Sequence, residues 1–335
     1  MQENSFSYRL KIEYSIQNGK AKIVRCWGAY EEISLPPVLE GCPVTEIGPY
    51  AFSPAFSMER DAGDTELHTI WTGTPSFGGE EAPERIAGDS LLGVQLPDSL
   101  EMIGDYAFYN CRKMKSLSLS GGVRQIGGSA FMNCRSLSHI TLDTDSKKVG
   151  VLIDLLGELQ QKLWVTVHYR QEENKNTVKL IFPEYFEEFI ENGPARIFEH
   201  FYRGSGCHYR QCFQKSELEY WEYDSRFSLA EVEDSPETLV DMALLRLQYP
   251  HELSEEARGA YLAYLTEHIK VCVEFLLRGD DFPRLEFLAS LGIFTQESVA
   301  EAIASASRMK RPEALSFLMD YRNAHFSRVE KSFDL

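Results

Sequence analysis

The chain has 335 residues, of which 43% are apolar, 25% charged and 12% aromatic. That length is enough for two domains or one elongated array, with a core that needs neither a metal nor disulfides. The 34 basic and 51 acidic residues give a formal net charge of −17. Because proteins that bind a nucleic acid backbone normally present a positive face, this charge argues against DNA or RNA as a partner.

The sequence carries no targeting or spanning signal that we recognise. No apolar run approaches the ~18 residues of a transmembrane helix. The first eight residues, MQENSFSY, lack the basic and apolar regions of a signal peptide. The seven cysteines form an odd set without a CxxC pair, which is typical of reduced thiols buried as small apolar groups. We therefore expect a cytoplasmic protein with no membrane span.

The two halves of the chain differ in composition. Of the 23 glycines, 17 lie at or before Gly157. Glycine-rich sequence with short apolar alternation indicates strands and tight turns, whereas apolar residues three and four positions apart indicate helices. We predict an α+β protein with a repeat domain over residues 1–169 and a mainly α-helical domain over residues 170–335.

The front half contains an internal repeat. Residues 103–111, IGDYAFYNC, recur 23 positions later as residues 126–134, IGGSAFMNC, and an earlier copy, IGPYAF, begins at Ile47. The apolar alternation around each copy predicts a short strand, the glycine a turn, and the Ala-Phe pair a plug that stacks on the next coil. One such coil cannot bury its own apolar edge, so neighbouring coils must stack into a solenoid. Cys111 and Cys134 share one register, where we expect a ladder of small side chains.

The pattern I-G-x-x-A-F-x-x-C-x-x-L-x-x-I-x-L resembles the BspA-type leucine-rich repeat, found in many bacterial surface and intracellular proteins. The resemblance covers roughly residues 8–145. It implies a solenoid of short parallel strands and a role in interaction, without naming a partner. The repeat is interrupted between Phe52 and Val94. We expect residues 67–72 to form an intact repeat strand and residues 73–93 a protruding loop, either functional or simply tolerated.

The solenoid predicts a candidate binding surface. On each strand the residue between the two inward apolar positions points outward, along the concave sheet by which such repeat proteins bind partners. Trp71 stands out because tryptophan is enriched in interface hot spots, although it could equally pack under the 73–93 loop. The predicted partner-binding residues are Ser34, Trp71, Gln95, Ser118 and Thr141, with Ser116 and His139 beside them.

The repeats are expected to end in a cap, and helices are expected after it. Residues 151–159 predict a helix that closes the solenoid, followed by strands at 163–169 and 178–182. From Pro183 onward we predict helices. The first two are indicated by apolar residues at helical spacing, which are Phe186, Phe189 and Ile190 and then Ile197, Phe198 and Phe201. Ser235 and Ser254 predict N-caps of later helices. Helix pairs at about 236–325 resemble ankyrin-like or other α-solenoid units, although the ankyrin tetrapeptide T-P-L-H is absent.

Residues 200–212 hold the one cluster that could carry chemistry. His200, Cys207, His208 and Cys212 could bind zinc or supply a Cys-His nucleophile, but their spacing matches no strong zinc pattern. Gly204-Ser205-Gly206 could cradle a phosphate, yet a lone GxG is weak. We interpret this segment as a glycine joint whose basic residues pair with surrounding acids. We predict no cofactor and no metal.

The sequence thus favours a non-enzymatic scaffold that binds protein partners through the concave repeat sheet, the helical array or both. Its acidic charge favours basic partners. Two alternatives stay open: an enzyme or zinc-dependent module with its site in residues 200–212, and an exported surface or adhesion protein, as many relatives are, whose signal is missing from this sequence.

Overall fold

The computed structural model describes residues 9–55, 66–73, 83–170, 176–192 and 197–326, with side chains for all of these except 189–192 and 197–200. The chain divides into two compact units, Met1–Glu219 and Tyr220–Leu335. Strands and repeat coils make up the first unit and helices the second, which confirms the predicted α+β class. The division falls later than the predicted 169/170 boundary, because the last strands of the repeat sheet pair with each other across that point.

The first unit contains two main sheets and a short cap. In chain order its elements are β1 (Leu10–Gln17), β2 (Lys20–Trp27), β3 (Glu32–Ser34), β4 (Val38–Leu39), β5 (Cys42–Ile47), β6 (His68–Thr72), β7 (Gly93–Gln95), β8 (Met102–Ile103), β9 (Ser116–Ser120), β10 (Gln125–Ile126), β11 (His139–Thr144), α1 (Gly150–Glu158), β12 (Leu163–Tyr169), β13 (Asn176–Phe182), β14 (Phe186–Asn192), β15 (Ile197–Arg203), α2 (Gly206–Tyr209), β16 (Phe213–Gln214) and β17 (Glu217–Leu218).

The six-stranded sheet has the order β13-β12-β11-β9-β7-β3. Its strands β3, β7, β9, β11 and β12 are parallel to their neighbours, and β13 is antiparallel to β12. The short parallel strands β5, β8 and β10 lie in the second sheet, where β5 also pairs with β2. The coils that begin with β3, β7 and β9 therefore each contribute one strand to each sheet, as expected of a solenoid, and in the coil of β11 helix α1 occupies the second position.

A ladder of phenylalanines joins the coils. The ring of Phe108 stacks on those of Phe52 and Phe131, with centroids 5.0 and 5.1 Å apart. The thiols run alongside: Cys111 Sγ donates to the Phe52 carbonyl over 3.3 Å, and Cys134 Sγ to the Phe108 carbonyl over 3.2 Å. Burial raises the pKa of Cys111 to about 12, so this thiol stays protonated. The predicted phenylalanine and cysteine ladders are both confirmed.

The last coil is closed by side chains of the predicted cap. Glu158, at the end of α1, accepts a hydrogen bond of 2.7 Å from the backbone N–H of Phe131, which has no further coil to pair with. Gln161 donates to the carbonyls of Cys134 and Leu137 over 3.0 and 2.8 Å. The cap thus satisfies the backbone groups that the next repeat would otherwise have paired.

The interruption of the repeat differs from the prediction. Strand β3 pairs directly with β7, so residues 67–72 are not a repeat strand; β6 instead pairs antiparallel with β1. The end of the predicted 73–93 loop is anchored rather than protruding. Gly28 and Cys26 exchange backbone hydrogen bonds with residues 84–86, and Arg85 donates to carbonyls of the first coil, including Tyr50 and Ser53. Residues 74–82 lie outside the described residues.

The prediction of helices directly after Pro183 is wrong for residues 186–203. These form β14 and β15, an antiparallel hairpin that pairs with no other strand of the described chain. Seven-residue segments rich in aromatic and β-branched residues favour strands. The spacing of Phe186, Phe189 and Ile190 also fits a helix, which explains the error.

The second unit consists of α3 (Tyr220–Ser225), α4 (Phe227–Glu233), α5 (Pro236–Gln248), α6 (Glu255–Glu267), α7 (Ile269–Arg278), α8 (Phe282–Ser290), α9 (Gln296–Arg308) and α10 (Pro312–Phe326). The side chains of Ser235 and Ser254 cap α5 and α6 as predicted. A helix-pair repeat is visible in the backbone: Asp280 and Lys310, 30 positions apart, both adopt a φ of 56° in the turns after α7 and α9.

A buried polar cluster holds the first helices of this unit together. Arg246 is fully buried and makes a bidentate pair with Asp224, with N···O distances of 2.7 and 2.8 Å. Asp224 also accepts from the Tyr261 hydroxyl over 2.7 Å, and burial raises the Tyr261 pKa well above its ordinary value. Within the described part of the chain, no helix is both long and apolar enough to cross a bilayer.

Candidate partner-binding surface

The outward side chains of the six-stranded sheet form continuous rows across the strands. We call this solvent-facing side the row face. One row consists of Ser34, Gln95, Ser118, Thr141 and Thr166, each directly opposite the next in the strand register. The neighbouring row consists of Glu32, Gly93, Ser116, His139 and Trp164. In β9 and β11 the residues between these positions are buried, so the rows stand on an apolar floor.

Six of the seven predicted partner-binding residues lie on the row face. They are Ser34, Gln95, Ser116, Ser118, His139 and Thr141. The 23-residue offset places five of them, because a parallel register brings equivalent positions of successive coils into one row. Ser34, 61 positions before Gln95, is placed by the apolar alternation of its own strand. Their role in binding remains a prediction.

Trp71 does not lie on the row face, and its predicted position there is wrong. It belongs to β6, which pairs with β1 in the seven-stranded sheet. The guanidinium carbon of Arg9 lies 4.1 Å from the centre of its ring, and 42% of the side chain is exposed. Alternation in residues 67–72 correctly indicated a strand, but alternation does not say which sheet a strand joins.

A shallow hollow lies at the β3 end of the row face. Its floor is Gly93, which stands between Glu32 and Ser116 in the row, and its rim includes Ser34 and Gln95. A Cβ atom at position 93 would approach Ser116 Oγ to 2.5 Å, so any larger residue would displace the serine. The hollow thus offers hydroxyl, amide and carboxylate groups around a space the size of a side chain.

The other end of the row face is aromatic. The rings of His139 and Trp164 stack with centroids 5.3 Å apart and planes 9° apart. Lys162 Nζ lies 4.7 Å from the centre of the Trp164 ring. Burial lowers the pKa of His139 below its ordinary value, which favours the neutral ring at neutral pH. Strands lie about 4.8 Å apart, so His139 and Trp164, two and three strands from Gly93, lie about 10 and about 14 Å from the hollow.

Trp164 is the largest of the row-face residues that were not predicted; the others in the two rows are Glu32, Gly93 and Thr166. The strand 163–169 was predicted, and its alternation would have placed Trp164, Thr166 and His168 on the outward side. Trp164 follows His139 by 25 positions, not 23, because the cap helix lengthens this coil. Adding the cap strand to the outward rows would have identified it.

Two contacts on or beside the row face join a hydroxyl to an imidazole, and in one of them Thr177 Oγ1 lies 3.0 Å from Nδ1 of His168. In the other, Ser138 Oγ lies 2.9 Å from Nδ1 of His139. Catalytic activation of a serine normally requires a third group that orients the histidine. Among the described residues, no carboxylate hydrogen-bonds to the His139 ring. The arrangement is suited to hydrogen bonding and stacking with a partner.

Segment 200–212 is organised around Arg210. This guanidinium donates to five backbone carbonyls at 2.6–3.2 Å, belonging to Leu156, Leu159, Gln161, Pro183 and Gly206. The prediction that basic residues of this segment pair with acids is therefore wrong for Arg210, which instead joins the cap helix to the end of β13.

The glycines of this segment are required by close backbone packing. A Cβ at Gly206 would lie 2.1 Å from the Pro183 carbonyl oxygen, and Gly204 has a φ of +84°. Cys207 and Cys212 are both buried. The side chain of His200 lies outside the described residues. Among those described, no group of three His, Cys, Asp or Glu side chains could hold a metal ion.

A stack of coils with a parallel sheet, a phenylalanine ladder and a capping helix defines a leucine-rich-repeat solenoid. Residues 87–151 match the family model described as BspA type Leucine rich repeat region (6 copies). The chain therefore contains a BspA-type leucine-rich repeat region, which confirms the resemblance in its sequence. No curated protein matches the chain.

Two solved structures are similar in part. The T. pallidum Leucine Rich Repeat protein (TpLRR) is 23% identical, with a TM-score of 0.27, over 44% of this chain and 56% of that chain. A leucine rich cell surface protein from Faecalibacterium prausnitzii A2-165 is 22% identical, with a TM-score of 0.26, over 44% of this chain and 33% of that chain. The matched region thus spans less than two thirds of either neighbour.

Proposed function

We propose that this protein is a non-enzymatic interaction scaffold that binds a protein partner through the row face. The observation that carries the proposal is the pairing of two different features on one continuous surface. The Gly93 hollow accepts a polar or basic side chain beside Glu32, and the His139–Trp164 stack, whose tryptophan lies about 14 Å away, accepts an apolar or aromatic one.

An extended peptide fits this spacing. A strand rises about 3.3 Å per residue, so positions four residues apart in a partner would reach the hollow and the stack together. Tryptophan contributes disproportionately to interface energies, which makes Trp164 the expected anchor. Leucine-rich repeats are generally non-enzymatic, and no carboxylate of the described residues orients His139 in its contact with Ser138, which supports a binding role.

Affinity purification from the native host, followed by measurement of the dissociation constant for the captured partner, tests the proposal. We expect Trp164→Ala to weaken binding roughly 30-fold, the effect of losing a hot-spot tryptophan. Trp71→Ala is the matched control, because it removes a partly exposed tryptophan from the other sheet. Equal affinities of Trp164→Ala and the wild-type protein would contradict the proposal.

We also propose a cytoplasmic location and a protein partner rather than nucleic acid. The net charge of −17 supports both a basic protein partner and the exclusion of nucleic acid. Immunoblotting of fractionated host cells tests the location. Recovery in the cytosolic fraction is expected, whereas recovery at the cell surface would favour the alternative of an exported adhesion protein.

A further inference from the structure

The helical unit carries a groove that neither the repeat architecture nor the row face explains. It lies between helices α3 and α4 on one side and the start of α6 on the other, and it encloses about 530 Å³. We name it the Trp221 groove. Residues that define it include Trp221, Asp224, Ser228, Glu231, Glu256 and Ala260.

We propose that the Trp221 groove is a second docking site, which binds a basic and partly apolar segment of a partner protein. The site lies within the helical unit and is separate from the row face. This proposal therefore goes beyond the proposed function, and its failure would leave the proposed function intact.

The first observation is the exposure of apolar surface in the groove. Trp221, which lines the groove, is 68% exposed although it is the largest type of side chain. Phe227, which also lines the groove, is buried and packs edge to face with Tyr261, with centroids 4.6 Å apart. An exposed tryptophan beside a preformed hollow is typical of an interaction site rather than of an ordinary solvated helix.

The second observation is that the wall offers space close to the helix backbone. The residues of α6 that line the groove beyond its N-cap are Glu256, Ala257 and Ala260, and Ser225 and Ser228 face them from α3 and α4. Small side chains let a partner segment approach closely. They also leave Trp221 as the only large ring at the groove's open side among the described lining residues.

The third observation is the charge of the lining. Every charged side chain that lines the groove is acidic: Asp224, Glu231 and Glu256. The charge of Asp224 is matched by its bidentate pair with Arg246. Glu231 and Glu256 have no hydrogen bond or ion pair within the described part of the chain, and both are exposed. The groove therefore presents two unmatched negative charges beside a tryptophan ring.

These features together specify the chemistry of the occupant. A lysine or arginine side chain lies favourably on a tryptophan face, where the cation meets the negative face of the ring, and its head group can reach a carboxylate. A purely hydrophilic cation would leave the apolar surface of Trp221 and Ala260 exposed to water. A basic segment with interspersed apolar residues satisfies both requirements, and an acidic or neutral segment does not.

Binding of a synthetic amphipathic peptide of lysine and leucine to the full chain, measured by calorimetry at about 0.15 M ionic strength, tests the proposal. We expect the wild-type protein to bind it and not the corresponding glutamate and leucine peptide. Trp221→Ala should weaken binding at least tenfold. The double variant Glu231→Gln/Glu256→Gln should weaken it about fivefold, the effect of two exposed ion pairs.

The matched control is Glu267→Gln/Glu286→Gln, which changes the net charge equally at two exposed glutamates outside the groove. We expect this control to bind as the wild type does, and circular dichroism checks that each variant is folded. The proposal is overturned if the basic peptide does not bind, if the groove variants bind unchanged, or if the control weakens equally. Spermine that binds with the same dependence on Trp221 would identify a polyamine site and likewise overturn the docking of a protein segment.

Discussion

The two units of this protein stabilise their cores in different ways. In the repeat unit the same contact recurs: Phe108 stacks on a phenylalanine on either side, and each coil's thiol donates to the preceding coil. In the helical unit the polar contacts are not repeated in this way: Arg246, Asp224 and Tyr261 form one buried cluster, and Arg284 pairs with the buried Asp241 in a different arrangement.

This difference predicts different responses to mutation. A solenoid gains stability from the interfaces between neighbouring coils. A side chain buried between coils should therefore contribute more to the free energy of unfolding than an exposed side chain of a coil. A buried ion pair adds little net stability when complete, but removing one partner leaves an uncompensated charge and is strongly destabilising. The following substitutions measure that contrast.

Phe108→Ala should produce the largest effect. The substitution removes the middle ring of the ladder and both of its stacking contacts, and we expect a loss of about 4 kcal/mol in the free energy of unfolding. Urea unfolding followed by circular dichroism measures it. Met132→Ala, an exposed position in the next coil, should change stability by less than about 0.5 kcal/mol. A Phe108→Ala loss as small as that of the control would refute the ladder as a source of stability.

Arg246→Met should have the next largest effect, a loss of about 3 kcal/mol in the free energy of unfolding, because Asp224 is left buried without its cation. The control is Arg278→Met, since Arg278 pairs with Glu237 on the surface over 3.2 Å and should cost less than about 1 kcal/mol. Thermal unfolding of the two variants in parallel measures the difference. Equal losses would show that burial does not distinguish the two ion pairs.

Glu158→Ala tests the cap of the solenoid. The carboxylate accepts a hydrogen bond from the Phe131 N–H, which no further coil pairs. Its removal should therefore lower the free energy of unfolding by about 2 kcal/mol. Asp154→Ala, on the exposed side of the same helix, is expected to be nearly neutral. Hydrogen exchange of the Phe131 amide gives a direct readout: it should accelerate in Glu158→Ala and stay unchanged in Asp154→Ala. Unchanged exchange in both would contradict the capping role.

The smallest effect concerns the pH dependence of the row face. Burial lowers the folded-state pKa of His139 below its unfolded value, so the folded protein disfavours the charged ring. The associated stability is present above the unfolded pKa, about 6.5, and is lost as pH falls through the folded pKa. An NMR titration of the His139 imidazole should show a lower midpoint in the wild type than in Trp164→Ala. Identical midpoints would show that the stack does not desolvate the ring.

The repeat unit was largely predictable because its residues recur. The offset of 23 positions predicts the coil, the phenylalanine ladder, the cysteine register and five row-face residues. Parallel stacking converts equal spacing in sequence into equal position in space, so each copy supports the same conclusion. The cap helix followed from the need to cover the last coil.

Features that occur once were not predictable in the same way. The alternation of residues 67–72 indicated a strand but not its partner β1, and the spacing of Phe186, Phe189 and Ile190 fits a strand or a helix. The pair of Arg246 and Asp224 lies 22 residues apart in helices whose packing sets the contact. Pairings that depend on tertiary packing leave no periodic trace in a sequence.

The central claim is that a partner binds to the row face, and a photo-crosslinking amino acid at matched glutamines tests it most directly. Gln95 is exposed on the row face, and Gln125 is exposed on β10 in the other sheet. With the photo-crosslinker at position 95, we predict a covalent adduct with the partner in host extract, whose site is mapped by mass spectrometry. The same substitution at position 125 should give none. An adduct at position 125 without one at position 95 would contradict binding through the row face.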